Sequence, residues 1–314
     1  MGSDLFSDSL LSNQKIRISL QCYSFASSLF TKKMNIIDFP KIVREDFNIE
    51  AAEYWNSPMI DKRKDLNFIR ELKMRTNDYG IENTFMLVDL INYQTGESKS
   101  LCSNDKIERG IAIEEHKQWI EFSKSIGCKG IRVNLWSDKM TASEVKSISE
   151  DSLGELLEFS NKIDMSIMIE NHGGYTSDAK WLINLIKSID HPKLGTLPDF
   201  GTRNFCIKTA PKSESEIFGT QCVNQYDKYK GVEEMLPYAM GISAKSHSFK
   251  NDGEEISTDY KKMINLIKAS TFKGYIAIEY EGAIMGLYGN CLLYTSPSPR
   301  DQRGSGVAGC GGKK

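Results

Sequence analysis

Four apolar runs in the second half of the chain each break off on a residue that can do chemistry. Residues 165–169 lead into Glu170, Asn171 and His172 and then two glycines; 194–197 lead through Pro198 to Asp199; 241–244 lead to Lys245 and His247; 275–278 lead to Glu279. A short apolar run that stops on polar groups reads as a buried strand delivering them at its carboxyl end. Such strands belong to parallel sheets, in which all the carboxyl ends lie on one side of the fold. A carboxylate, a carboxylate, an imidazole and a carboxylate at these ends suggest a metal site assembled from separated parts of one domain.

The rest of the chain supplies the partners of those strands. Apolar runs predict strands over 16–23, 49–54, 83–88, 130–136, 165–170, 194–199, 241–247 and 275–279. Helical spacing of apolar residues predicts helices over 35–47, 61–79, 113–126, 143–163, 177–189, 231–240 and 258–269. Residues 201–230 have little period and are expected to form a long loop with a short helix. Strand and helix alternate at about 30 residues per unit, which implies parallel strands joined by right-handed crossovers. Eight strands in about 275 residues match the ~250 typical of a closed barrel, so the class is α/β and the architecture a (β/α)8 TIM barrel. A doubly wound open sheet accounts less well for polar residues ending four strands, and no G-x-G-x-x-G follows the first strand.

Both ends of the chain read differently from the middle. Residues 1–14 are polar and expected to be flexible, and 15–290 carry the barrel. From Cys291 the sequence CLLYTSPSPRDQRGSGVAGCGGKK is rich in Gly, Ser and Pro, has no apolar period, and is expected to be disordered. Its start resembles the translation of a transposon-end sequencing adapter, so 291–314 is read as a non-native tail and the final barrel helix as truncated. Without that helix the outer faces of the first and last strands would be bare.

Composition narrows the partners. A formal net charge of −2 implies no basic face, so nucleic acid is not favoured. No apolar run is long enough to span a bilayer. Lys15 and Arg17 before a run ending in Cys22 faintly suggest a lipoprotein signal. The run is short and broken by Gln21, and a first strand explains it better. Outside the tail, Cys22, Cys102, Cys128, Cys206 and Cys222 are scattered without C-x-x-C spacing. Reduced thiols and a cytoplasmic setting are the expectation.

An eight-stranded barrel carries its active site at the strand carboxyl ends, and neighbouring strands lie ~4.8 Å apart. Glu170, Asp199, His247 and Glu279 are therefore expected to converge on one divalent cation. Three carboxylates and an imidazole suit Mn2+, Mg2+ or Co2+, with Zn2+ also compatible. Lys245 shares strand parity with His247 and is placed to bind a developing oxyanion. His172 shares parity with Glu170 and is placed to shuttle a proton. Arg132, Asn134 and Trp136 share one face, and Trp136 is expected to wall the pocket. His116 is expected on the surface or in packing, and His191 in a structural turn.

The segments IENHGG, LPDFGTRNF, GISAKSHSF and YIAIEYEG resemble the xylose isomerase-like barrel superfamily of sugar phosphate isomerases and epimerases, over roughly residues 16–282. The resemblance implies an enzyme on a small sugar. In the ketose 3-epimerase branch a metal is held by Glu, Asp, His and Glu at these strand ends. That carries over to Glu170, Asp199, His247 and Glu279, with the two glutamates beside the acid–base position. No second Glu follows Glu170 closely, and Glu281 is the candidate for a further carboxylate. The branch's substrate-binding His after the strand-six Asp is replaced by Arg203 and Asn204, which, with Asn171, become the expected substrate contacts. The implied chemistry polarises a hydroxy-ketone or hydroxy-aldehyde, removes the neighbouring C–H proton and returns it through an enediolate. A dehydratase of a keto-polyol such as a keto-inositol, an abasic-site nuclease and a non-catalytic sugar-binding barrel are the competing readings. The nuclease needs more histidines than the chain's 4. A homo-oligomer is compatible with all of them.

Overall fold

The computed structural model describes residues 16–92, 97–137, 140–211 and 220–282. The expected N-terminal segment 1–14, the tail 291–314 and the truncated last helix lie outside them. In chain order the elements are β1 Arg17–Gln21, α1 Ala26–Phe30, α2 Phe39–Glu45, β2 Ala51–Trp55, α3 Leu66–Asp78, β3 Glu82–Leu87, α4 Lys106–Ser125, β4 Gly130–Val133 and α5 Ala142–Lys162. There follow β5 Ser166–Glu170, α6 Ala179–Ile189, β6 Leu194–Leu197, β7 Cys206–Pro211, β8 Thr220–Gln225, α7 Lys228–Met235, β9 Gly241–Ser246, α8 Tyr260–Ala269 and β10 Tyr275–Tyr280.

Eight of these strands form one sheet in the order β6-β5-β4-β3-β2-β1-β10-β9, every pairing parallel. The sheet curls until its two end strands meet. There Met240 N–H donates to Thr196 O at 3.0 Å, Ser243 N–H to Pro198 O at 2.9 Å and Phe200 N–H to Ser243 O at 3.1 Å. The result is a nearly closed (β/α)8 barrel. The β6–β9 seam is sewn by two isolated bridges, Thr196 with Ala239 and Asp199 with Ser243, where the other pairs have ladders, that of β2–β3 with one register shift.

Helix starts are written into the sequence by side-chain caps. Asp65, Asp105, Asp178, Asp227 and Asp259 accept from the first-turn amides of α3, α4, α6, α7 and α8, and Thr141 with Glu144 forms a capping box on α5. Each cap is worth about 1 kcal/mol. Asp105 also explains why α4 begins at Lys106, seven residues ahead of the periodic stretch. Strand alternation divides the apolar residues between two cores. Ile131, Ile167, Ile169, Ile242 and Ile276 pack into the large core with the helices, and Phe85, Met168 and Leu197 form a separate cluster plugging the barrel.

Two expectations are corrected. The stretch 201–230 is not a plain loop. It holds the antiparallel hairpin β7–β8, whose short strands carry no strong apolar alternation. The hairpin brings Cys206 and Cys222 into a disulfide, with Cα atoms 5.7 Å apart. The all-reduced expectation fails because a spacing of 16 residues becomes a contact only once the hairpin exists. Cysteine usage therefore no longer argues for a reducing compartment. Cys22, Cys102 and Cys128 are free and buried. No helix among the described residues is long and apolar enough to cross a membrane.

Candidate active site

The inward positions at the carboxyl ends of the strands are charged. Glu53 on β2, Arg132 on β4, Glu170 on β5, Asp199 just beyond β6, Lys245 on β9 and Glu279 on β10 are all buried. Ion pairs replace water for each except Glu53, as burial of charge requires. Arg132 ties Glu170 Oε2 through Nε at 2.8 Å and Asp89 Oδ1 through NH1 at 2.5 Å. Asp89 also accepts from Trp55 Nε1 at 2.9 Å and Asn134 Nδ2 at 2.8 Å.

Lys245 is the centre of the arrangement. Its Nζ lies 3.1 Å from Glu281 Oε1, 3.2 Å from Asp199 Oδ2, 3.7 Å from Glu170 Oε1 and 3.7 Å from Glu279 Oε1. Glu170 and Asp199 hold the ammonium from beneath, while Lys245, Glu279 and Glu281 face a cavity of about 570 Å3 at the mouth. Tyr23, His116, Arg132, Asn134, Trp136 and His172 also line that cavity.

Neighbouring groups fix each oxygen. Ser243 Oγ donates to Glu279 Oε2 at 2.6 Å, Asn204 Nδ2 to Glu170 Oε1 at 3.0 Å and Gly201 N–H to Asp199 Oδ1 at 2.6 Å. Gly201 must lack a side chain. A Cβ there would lie 2.7 Å from Asn204 Oδ1, 2.9 Å from Asp199 Oδ1 and 3.0 Å from Lys245 Cδ. Asn171 latches the β5 and β6 ends together: its Oδ1 accepts from Asp199 N at 2.8 Å, and its Nδ2 donates to the Asp199 and Asn204 carbonyls, both at 3.2 Å.

Electrostatics separate the carboxylates. Burial pushes Glu279 up to about 7; Lys245 opposes the rise, and Glu281 and Glu170 add to it. Burial would raise Glu281 too, but Lys245 and His247 bring it down to about 2. Glu170 is likewise penalised by burial, yet Arg132 above all holds it below the usual range and ionised. Burial drives Asp199 well above its ordinary value, against the pull of Lys245. Burial disfavours the Lys245 charge, but the carboxylates outweigh it and keep the amine protonated. One wall holds a carboxyl poised to exchange a proton near neutrality, the kind of shift that marks working sites.

The expected metal ligands are not brought together as a set. Strand register sets Lys245, not His247, opposite Glu279. His247 lies one pleat further out, where its Nε2 meets Glu281 Oε2 at 3.1 Å. Among the described residues no group of three or more His, Cys, Asp or Glu is disposed to hold a metal ion. The position the three carboxylates share is taken by an ammonium, so these residues do not fit a divalent ion as they stand.

Of the other expected residues, Trp136 and His172 form the wall between the mouth cavity and a second one of about 920 Å3. Arg203 and Asn204 line that second cavity beside the hairpin. Asn171 is fully buried and spent on backbone groups. Sequence reading passed over Asp89 and Glu53 and gave Arg132 no charge role. Of the two places expected for His116, surface or packing, the structure has the second: it is buried, and it also lines the mouth. His116 Nδ1–H donates to Ala112 O at 2.7 Å, and burial pushes the ring down to about 4, leaving Nε2 a bare acceptor. The helical position of His116 held a signal, since it falls on the apolar stripe with Ala112, Ile113 and Ile120.

The sequence profile of the xylose isomerase-like TIM barrel family matches residues 44–290. No curated protein matches the sequence. Among solved structures, a family 2 AP endonuclease from Brucella melitensis is 9% identical, with 85% of this chain and 93% of that one covered at a TM-score of 0.61. A 3-keto-D-glucoside 4-epimerase from E. coli is 13% identical over 84% and 92%, at 0.59. The IOLI protein, solved with a bound zinc atom, is 12% identical over 84% and 88%, at 0.60. Identities this low speak for the fold alone.

Proposed function

The chain belongs to the xylose isomerase-like TIM barrel family, and on that premise we propose that it isomerises or epimerises a small hydroxy-ketone or hydroxy-aldehyde sugar through an enediolate. The observation that carries this reading is the pairing, on one cavity floor, of the Glu279 carboxylate with the Lys245 ammonium 3.7 Å away. A carbonyl oxygen seated at the ammonium makes its neighbouring C–H acidic, because charge that develops on oxygen is met by a fixed positive group. Glu279, raised to about 7, takes that proton. The electron pair moves onto the carbonyl oxygen, where Lys245 N–H groups hold it. For isomerisation the proton returns to the adjacent carbon while the neighbouring hydroxyl passes its proton to the oxygen held by Lys245, so the carbonyl moves by one carbon; for epimerisation a proton is delivered to the other face of the same carbon and the carbonyl re-forms. His172 stands just beyond β5, which does not pair with β10; burial lowers its ring below the usual imidazole range, so it offers a neutral proton relay on another wall.

Each remaining group has a supporting part. Glu170 stays ionised under Arg132 and keeps the ammonium in place. Glu281, depressed to about 2, stays charged and orients His247. Trp136 offers an aromatic wall for a sugar face, and Arg203 and Asn204 would meet a substrate that reaches the second cavity.

Incubation in D2O with a panel of ketoses and aldoses tests the reading. Deuterium entering the carbon next to the carbonyl, seen by NMR, is the expected result. No uptake with any sugar removes the enediolate mechanism, and loss of water from the substrate without isomerisation moves the assignment to a dehydratase.

A further inference from the structure

We propose that the Lys245 ammonium is this barrel's resident cation: it fills the place a divalent metal would take, and the site acquires metal affinity only when the lysine is replaced. The inference concerns metal binding alone and stands apart from the choice of substrate.

Register comes first. Lys245 is the β9 residue opposite Glu279, and Ser243, two residues earlier on the same face, donates to that same glutamate. The amine is therefore delivered to the level of the carboxylates by strand geometry, not by a chance rotamer. It reaches Glu170, Asp199 and Glu279 together, the three carboxylates the sequence offers as metal ligands. The imidazole that would complete a ligand set is one pleat too far. A two-residue step along a strand is about 6.6 Å, against a metal–nitrogen bond of about 2.0–2.1 Å. His247 is moreover engaged by Glu281.

The space confirms the tenant. Asp199 Oδ2 is buried and accepts no hydrogen bond from any described group, so the ammonium 3.2 Å away is its compensation. The lysine stem passes where a Cβ on Gly201 would stand 3.0 Å from Cδ, and the Asp199–Gly201 turn is built around it. A divalent ion cannot enter without expelling this side chain, and an ammonium driven out would give up its contacts with all four carboxylates at once. Chemically, the exchange replaces a Lewis acid by directional N–H donors carrying a single charge.

The experiment is a metal titration of the full chain by calorimetry, paired with melting scans. The wild type, dialysed against EDTA, is expected to bind neither Mn2+ nor Zn2+ stoichiometrically and to show no change in Tm. Lys245→His places an imidazole at the level of Glu279, and should create one site. Saturating Mn2+, at about 100 times Kd, should then raise Tm by roughly 5 °C, and Co2+ should give visible d–d absorption. Lys245→Ala is the second variant: its Tm should fall for want of the ammonium and recover when Mn2+ is added. One equivalent of metal on the wild type, lost in Asp199→Asn, overturns the proposal. So does a folded Lys245→His or Lys245→Ala protein that gains no metal binding.

Discussion

Glu279 and Glu281 sit two residues apart on one strand end and titrate in opposite directions, and their surroundings explain the split. Glu279 is buried with one hydroxyl donor and a shared ammonium; Glu281 is nearer solvent and meets both Lys245 and His247. With Glu279 as the proposed base, kcat/KM should rise as pH climbs through about 7, and Glu279→Gln should lower kcat by about 100-fold or more. A steady-state pH profile of both proteins checks this. Stability carries the opposite sign. The folded value of Glu279 lies above its ordinary 4.5, so the native state holds the extra proton between pH 4.5 and about 7, and stability drains away as pH rises through that window. The unfolding free energy of Glu279→Gln relative to wild type should therefore grow from pH 4.5 to 7, by on the order of 3 kcal/mol. Glu281 contributes stability above 4.5 that is lost as pH falls toward 2. The strand-end positions of Glu170, Asp199, Lys245 and Glu279 were legible in the sequence, because each terminates an apolar run. Sequence reading paired His247 with Glu279 because parity alone does not say which pleat faces which. Asp89 and Arg132 escaped as an ion pair because they come from different strands and share no motif.

Short-range connections decide how firmly those residues are held. The Asn171 side chain joins the β5 end to the β6 end through three backbone contacts, so Asn171→Ala leaves buried polar groups without partners. A loss of about 1–3 kcal/mol in urea unfolding is expected, with KM changing less than kcat as Asp199 drifts. The β7–β8 hairpin borders the second cavity and is closed by Cys206–Cys222. Cys206→Ser should cost up to about 3 kcal/mol of stability, the scale of a loop of this length, and proteolysis should then cut within the hairpin first. Sequence patterning found the barrel strands and the crossover helices, because period and capping residues are local signals. It missed the hairpin because two short polar strands hold each other through a backbone ladder and one sulfur bridge, and neither leaves a period to read.

At the scale of the molecule the barrel is closed unevenly. The other barrel strands pair through parallel ladders, with one register shift in β2–β3, whereas β6 and β9 meet through isolated bridges. Hydrogen exchange should find the amides of Met240, Phe200 and Ser243 opening well before those of Ile18 to Leu20 on the β1–β10 ladder. The eightfold architecture was legible from the repeat of strand and helix. The weak seam was not, because ladder length depends on where strands stop in space. The Lys245–Asp199 pair spans that seam, with Ser243 and Phe200 beside it. The nitrogen proposed as reagent is thus also a clasp: an anionic ligand that draws it toward the mouth also slackens the joint, so an occupied pocket should be felt on the outer wall, where α7 and α8 lean against the same staves.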